Sequence, residues 1–511
     1  MKLKLTPAIT AGALVLVAAN TVYAQYAPPP PSAPFPGFIN DYMRKQDPYL
    51  SVWDIGGAAR VRYELKEGGL GLPPANDFRQ NTTPTTQNHN DYVSTKVMAR
   101  VAYTDKWWGA WVEGRSSETW YDDRSRTGAG AVPGNDGRGG PERDGPVDLH
   151  QAYVTLGNHK EFPVSVKVGR QELSYGDERL VGAFAWNNIG RVFDTTKLRW
   201  QNEWFAADVF SGRLVLPVNN EFNNDNQHNF FSGIYTTTRK IPKTWTEVYF
   251  LARNDAPGST TANANAVLPF QVNAGAPAAR DIYTIGTRIK SATNELGNFD
   301  YTVEADYQFG NWQAVANGSR VEHRAYAFSA NLGYTFADAA GTPRVALEYD
   351  FASGDSNPTD GKHTTFDQLY PTGHKSGGYM DFASWQNIHD FRGIFTIKPV
   401  PQLSLAVEGH LFWLADTGDS FYNKGGVARG GTTTFQAPAA QGTGFGRNPG
   451  YDNFVGSEID LIAGYSLNKV TTVEAGYGHF FRGDYIKQTW SSAAIGSRDA
   501  DWVYVQTVVR F

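Results

Sequence analysis

Charged side chains two or four residues apart recur along this chain among apolar alternates: Arg60 and Arg62, Lys96 and Arg100, Glu113 and Arg115, Lys197 and Arg199, then Glu304 and Asp306, Glu348 and Asp350. In an extended strand that spacing puts both members on one face. The chemistry open to such rows is electrostatic: they attract, orient and filter charged solutes. Catalysis finds less to work with. His389, His410 and His479 stand on separate predicted strands, and no His-x-x-Glu-His, Gly-x-Ser-x-Gly or phosphate-loop pattern occurs. With no cysteine in the chain, disulfides and thiolate metal sites drop out as well. The expectation is a non-enzyme without cofactor or metal.

The elements that carry these rows are amphipathic strands. Tyr301, Val303, Ala305, Tyr307 and Phe309 alternate with Thr302, Glu304, Asp306 and Gln308, and Val345, Leu347, Tyr349 and Phe351 alternate with Arg344, Ala346, Glu348 and Asp350. A slip of one residue would turn every carboxylate to the apolar side, so register is strongly fixed. Similar runs begin near Ala58, Lys96, Thr246, Ile282, Leu403, Ile459 and Thr472. Brief connections such as Asp105-Lys106 and Asn468-Lys469 alternate with long polar ones at residues 66–90, 118–146, 255–279, 353–386 and 417–453. The final segment, Asp501 to Phe511, alternates to its last residue, as the closing strand of a barrel must. The fold expected is all-β, a transmembrane antiparallel β-barrel of about 18 strands with short periplasmic turns and long extracellular loops.

Domain order follows from the other end. Lys2 and Lys4, the apolar run 11–19 and the small residues before Gln25 read as a signal peptide over 1–24. That run is too short to span a bilayer. Residues 25–50 form a Pro-rich periplasmic segment, and 51–511 the barrel. A 14% aromatic content, 53 glycines and a net charge of -5 accompany a negative mean hydropathy, which a membrane chain reaches only by alternating. The location expected is the bacterial outer membrane, with both termini periplasmic.

The segment Val168-Gly-Arg-Gln-Glu-Leu-Ser-Tyr-Gly-Asp-Glu-Arg-Leu-Val-Gly182 and the following Trp186-Asn-Asn-Ile-Gly-Arg-Val-Phe-Asp-Thr-Thr-Lys-Leu-Arg-Trp200 resemble the alginate export family of outer-membrane barrels. The matching features are Gly-Arg-Gln near a strand end, a loop with Tyr-Gly-Asp, then Arg-x-Phe-Asp entering the next strand. The resemblance implies a monomeric barrel that passes a polyanionic polysaccharide through a basic constriction.

With apolar faces toward lipid, the lumen receives Arg60, Arg62, Lys96, Arg100, Arg115, Lys167, Lys197 and Arg199 from the first third of the barrel, against Glu64 and Glu113. The second half projects Glu304, Asp306, Glu348, Asp350, Asp390, Glu408, Glu458, Asp460 and Glu474, opposed by Arg344, Arg392 and Lys398. A basic wall thus faces an acidic wall, a departure from a uniformly basic constriction. Strict alternation from Val164 aims Arg170 at lipid, so either the position lies at the outer rim and the group snorkels or, the reading that the family's Gly before this Arg favours, a bulge at Gly169 turns it inward, where it pairs with Asp194. Trp107, Trp108, Trp111, Trp200, Trp204 and Trp245 are read as an interfacial girdle, and Tyr370, Trp385 and Trp413 as carbohydrate-facing candidates.

The function expected is passive passage of anionic or neutral oligo- or polysaccharides. A general small-solute porin with a transverse field, or a plugged structural or adhesive barrel, stands as the alternative. Expected partners are outer-membrane lipid and lipopolysaccharide, a saccharide or small anionic solute, and the barrel assembly machinery through the strand ending at Phe511. Nucleic acid is not among them. Some long loops must enter a lumen of this width.

Overall fold

Strands with one apolar and one polar face leave no dry way to span lipid except closure, because an open edge would strand its backbone donors and acceptors in hydrocarbon. The computed structural model describes residues 37–68, 89–122, 124, 138–158, 161–217, 222–256, 279–292, 295–313, 318–426, 428–429, 445–489 and 498–511. The expected signal peptide and residues 25–36 of the Pro-rich segment lie outside these. A helix, α1 (Phe38–Gln46), and a 3-10 turn (Pro48–Val52) lead into the sheet.

Eighteen long strands follow: β1 (Trp53–Gly68), β2 (His89–Thr104), β3 (Trp108–Trp120), β4 (Gly145–Leu156), β5 (Val164–Gln171), β6 (Phe193–Gln201), β7 (Phe205–Leu216), β8 (Asn229–Thr238) and β9 (Thr244–Asp255) make the first half. The second half is β10 (Arg280–Ser291), β11 (Phe299–Gln313), β12 (Arg320–Thr335), β13 (Arg344–Ala352), β14 (Ile388–Val400), β15 (Leu403–Leu414), β16 (Phe454–Ser466), β17 (Thr471–Arg482) and β18 (Ala500–Arg510). Each long strand pairs antiparallel with its neighbours in sequence, and β18 returns to β1 in the register Ala58↔Arg510 through Gly68↔Ala500. Phe511 completes the seam by exchanging backbone hydrogen bonds of 2.9 and 3.0 Å with Gly57. The expected strand number and all-β barrel are what the structure has. Among the described residues no helix is long and apolar enough to cross a membrane; strands do the crossing.

Burial follows the alternation. Leu347 is 73% exposed on the outer face, whereas Glu348 beside it is 9% exposed and faces inward. Placing one lysine or arginine mid-bilayer on that outer face would cost roughly 2–4 kcal/mol, which is why so few slips in register are tolerable. Trp107, Trp108, Trp200 and Trp204 are exposed beside the short turns, as the girdle reading requires. Trp111 departs from it: sharing the parity of buried Glu113, it faces inward, stacked on Tyr153 at 5.9 Å with the Arg100 guanidinium 5.5 Å over its ring. Trp245 likewise shares the inward parity of buried Glu247.

Inward parity is not uniformly polar. Towards the long-connection end, Phe210, Phe231, Tyr235, Tyr249, Phe412 and Phe480 are buried inside the barrel. They bury apolar side chains of long connections that fold into the lumen, including Tyr175 and Tyr370. Aromatic surface on both sides supplies the hydrophobic and stacking energy that holds these connections inside.

Candidate functional site

Residues 172–192, joining β5 to β6, cross the lumen from the basic wall to the acidic wall. At the basic end the loop offers backbone carbonyls. Arg60 donates to the Trp186 carbonyl at 2.9 Å and to Asn188 Oδ1 at 3.1 Å, Arg62 to the Trp186 carbonyl at 3.0 Å, and Lys96 to the Asn187 carbonyl at 3.3 Å. On β3, Arg115 donates to the Ile189 carbonyl at 2.6 Å and Ser117 to the Asn188 carbonyl at 2.7 Å. Arg62 also lies 4.2 Å over the ring of Trp186, which stacks on His374 at 3.9 Å.

At the acidic end the loop offers a cation. Arg179 meets Asp350 at 2.6 Å, Glu348 at 3.0 Å and Glu304 at 3.9 Å, spanning β11 and β13. Asp177 works in the reverse sense: it takes the Arg288 guanidinium of β10 at 2.6 and 3.1 Å. Burial alone would raise the Asp177 carboxyl, but Arg288 holds it below the ordinary carboxylate range. Between the two ends, Tyr175 donates its hydroxyl to Asp208 of β7 at 3.0 Å. Gly176 permits the turn at the tip, because its φ of +58° is a conformation a side chain disfavours.

A second connection, residues 353–387 between β13 and β14, meets the first in the lumen. Tyr370 donates its N–H to the Leu180 carbonyl and accepts from Gly182 N–H, both at 2.8 Å, in a short parallel bridge. The approach at Gly182 is close: a Cβ there would stand 2.2 Å from Thr372 Oγ1. Arg191 clips the junction by donating to the carbonyls of Gly182 at 2.8 Å, Pro371 at 2.9 Å and Tyr370. Further on, Met380 N–H reaches Glu458 at 2.9 Å and Tyr379 N–H reaches Asp460 at 3.3 Å. This loop therefore also presents donors to the acidic wall. From the connection between β15 and β16, Lys424 supplies a carbonyl to Gln368 at 2.8 Å.

Of the residues named from sequence, Arg60, Arg62, Lys96, Arg100, Glu113, Arg115, Lys197 and Arg199 share the inward face of the early strands. Glu304, Asp306, Glu348 and Asp350 share that of β11 and β13. Their partners divide them. Arg100 pairs with Asp54 at 2.8 Å, Arg115 with Asp144 and with Asp148 at 3.2 Å, and Lys197 and Arg199 with Asp208 at 3.6 and 3.4 Å. Glu113 receives Gln151 at 3.1 Å. Glu304 and Asp306 each accept the Tyr249 hydroxyl at 2.7 Å. Arg392 joins Glu348 at 3.1 Å to Glu408.

Arg170 and Asp194 do pair, in a bidentate contact of 2.9 Å on both arms, yet not inside the lumen. The ladder runs one for one through Gly169, pairing Arg170 with Ala152 and with Asp194, so the expected inward turn at Gly169 does not occur. Both side chains keep the outward parity of Val168 and Thr196. The β3–β4 pairing breaks register instead: His150 is extra between Leu149 and Gln151 opposite Gly114 and Glu113, and a second shift falls between Arg115 and Ser117. At the rim beside the long loop, the paired charges need no inward turn. Tyr370 and Trp385 are buried in loop packing and Trp413 lies on the outer face, so none of the three presents a carbohydrate platform.

The residues to which sequence reasoning gave no role are Arg179, Trp186, Arg191 and Arg288. A signal existed. The motif residues Tyr175, Gly176, Asp177 and Arg191 are the loop's own anchors, and the aromatics at inward parity on β7 to β9 marked where it would pack.

The family model for alginate export matches residues 54–496. Among solved structures the chain is similar to Pseudomonas aeruginosa OccK1 (OpdK), with TM-score 0.53 and 10% identity over 90% of this chain and 98% of that one. An OpdK structure with vanillate gives the same values. Pseudomonas aeruginosa OpdQ gives TM-score 0.51 and 10% identity, over 89% of this chain and 97% of that one. At such identity the likeness is one of fold. No curated protein matches the chain by sequence.

Proposed function

The chain belongs to the alginate export family and is an outer-membrane channel, and from that premise we propose that it passes anionic saccharides, sugar acids and short oligosaccharides of them, by diffusion. The observation that carries this reading is the division of the lumen into a cationic face and a carboxylate face. An acidic sugar carries the complement of both: a carboxylate for the cations and several hydroxyl donors for the acceptors. Arg60 donates to the Trp186 carbonyl and to Asn188, Lys96 donates to the Asn187 carbonyl, and the Lys167 ammonium lies 3.5 Å over the Tyr153 ring, so the hydrogen-bond and ring partners of these three are neutral groups that a passing anion can displace. The loops that cross the lumen favour short chains over long polymers, because a polymer must thread past the junction at Gly182 and Tyr370 in one extended strand.

In this reading the short-turn end, where both described termini lie, is periplasmic, and the long connections face outward. One chain closes the barrel, so a monomer suffices.

The test is swelling of proteoliposomes in glucuronate, glucose and defined oligouronates. Glucuronate should enter faster than glucose at equal osmolarity, with the rate falling steeply as the oligouronate lengthens. Equal entry of glucuronate and glucose would favour a general porin, and no entry of any solute would favour a plugged barrel.

A further inference from the structure

At the short-turn end of the lumen, below the crossing loops, lies a cavity of about 470 Å3, a size typical of pockets that hold small ligands. Its walls come mainly from β13 to β18 and the short turns beside them, and Tyr379 of the second crossing loop reaches into it. Three cations line it, Arg344, Lys398 and Arg510, beside a single acid, Glu474.

Their partners separate them. Arg344 is committed to Asp300 at 2.6 Å and to Asn331 at 3.3 Å. Glu474 Oε1 accepts from the Tyr504 hydroxyl and from Gln506 Nε2, each at 2.8 Å, so the acid is held by neutral donors. The side chains of Lys398 and Arg510 have no ion-pair or hydrogen-bond partner among the described residues, although both border the cavity. Inward Arg288 and Arg392 of this half are paired, with Asp177 and Glu247 and with Glu408, and Arg179 of the first crossing loop is paired with Glu348 and Asp350. Hydroxyls of Thr396, Ser404 and Thr472 face the same space.

We propose that this cavity is an anion subsite of the channel, which takes the carboxylate of a single sugar acid between Lys398 and Arg510 and its ring hydroxyls on the neutral polar lining. The proposal rests on the reading of the channel as a path for acidic sugars and adds where such a solute pauses. A carboxylate answers both unpartnered cations, while the hydroxyl-rich lining and the Tyr379 ring suit a polyol more than a bare inorganic ion.

Binding is measured by calorimetry on the full-length protein folded in detergent, a readout that needs no conduction. Wild type should bind sodium glucuronate, and glucose and inorganic phosphate more weakly. In K398Q/R510Q glucuronate affinity should fall by about tenfold or more, as expected for loss of charge-assisted contacts. Melting curves establish that the double variant is folded. R344Q removes a cation already committed to Asp300 and should stay within about twofold of wild type, since an exposed pair of this kind contributes little. The subsite is overturned if K398Q/R510Q binds glucuronate like wild type, if glucose binds as tightly as glucuronate, or if phosphate binds as tightly. Planar-bilayer currents read the channel separately. Current without glucuronate binding removes the subsite and leaves the channel, whereas binding lost in K398Q/R510Q with no wild-type current removes the conduction reading and leaves the subsite.

Discussion

Strands β1 to β3 and strands β11 to β13 hold the same crossing loop from opposite sides, and they do so with different chemistry. On the basic side, Arg60, Arg62, Lys96 and Arg115 grip successive carbonyls from Trp186 to Ile189. On the acidic side, one guanidinium, Arg179, gathers Asp350, Glu348 and Glu304. A carbonyl that loses its donor is a neutral group that water can satisfy. Carboxylates that lose their cation are left buried and mutually repelling. The acidic end is therefore the latch and the basic end a spread hinge, although the basic side makes more contacts.

Breaking the latch gives the largest effect. R179A strips the shared partner from three buried acids, a loss of about 3–5 kcal/mol for a buried pair. The expected result is a lower melting temperature by circular dichroism, together with larger and noisier single-channel currents as the loop tip leaves the acidic wall. Unchanged currents with normal stability would place the latch elsewhere.

Next comes the hinge. R60Q/K96Q removes contacts spread over several carbonyls, each hydrogen bond from a charged group being worth roughly 1.5–3 kcal/mol at most. Stability should fall less than in R179A, while the zero-current potential in a salt gradient moves toward cation preference. A shift toward anions would reverse the assignment of the basic wall.

W186A is milder. Its ring sits between the Arg62 guanidinium at 4.2 Å and the His374 ring at 3.9 Å, contacts worth about 0.5–2 kcal/mol. A small loss of stability is expected with a modest rise in conductance. R170A should do least. Its pair with Asp194 lies on the outer face, so conductance and selectivity should match wild type with a stability cost of roughly 1 kcal/mol. An altered selectivity in R170A would return this side chain to the lumen.

Much of the frame could be read in the residues. Alternation in Tyr301 to Phe309 and Arg344 to Phe351 fixes which side chains meet lipid, because burial in a closed sheet has a period of two and no freedom in phase. Local pairing was also legible: Arg170 found Asp194. Its face was not, since a bulge depends on how two strands count against each other, and the extra residue is His150 on β4 rather than Gly169 on β5. The choice of inward loop was hidden for a related reason. Residues 172–192 carry apolar anchors, Leu173, Tyr175, Leu180 and Val181 among them, but the surface that receives them and the match between their carbonyls, Arg179 and the lumen walls involve strands hundreds of residues apart in sequence. Phe210, Phe231 and Tyr249, apolar where the phase demands polar, were the visible trace of that match.

Because the chain has no native cysteine, a disulfide probe can examine the lumen junction directly. Val181 and Tyr370 form a bridge pair, and bridge partners lie close enough for a disulfide to form. In folded V181C/Y370C the disulfide should form readily on mild oxidation, and neither thiol should react with a water-soluble maleimide beforehand. Two freely labelled thiols with no cross-link, in protein that is folded and membrane-inserted, would mean that the two connections do not meet inside the barrel.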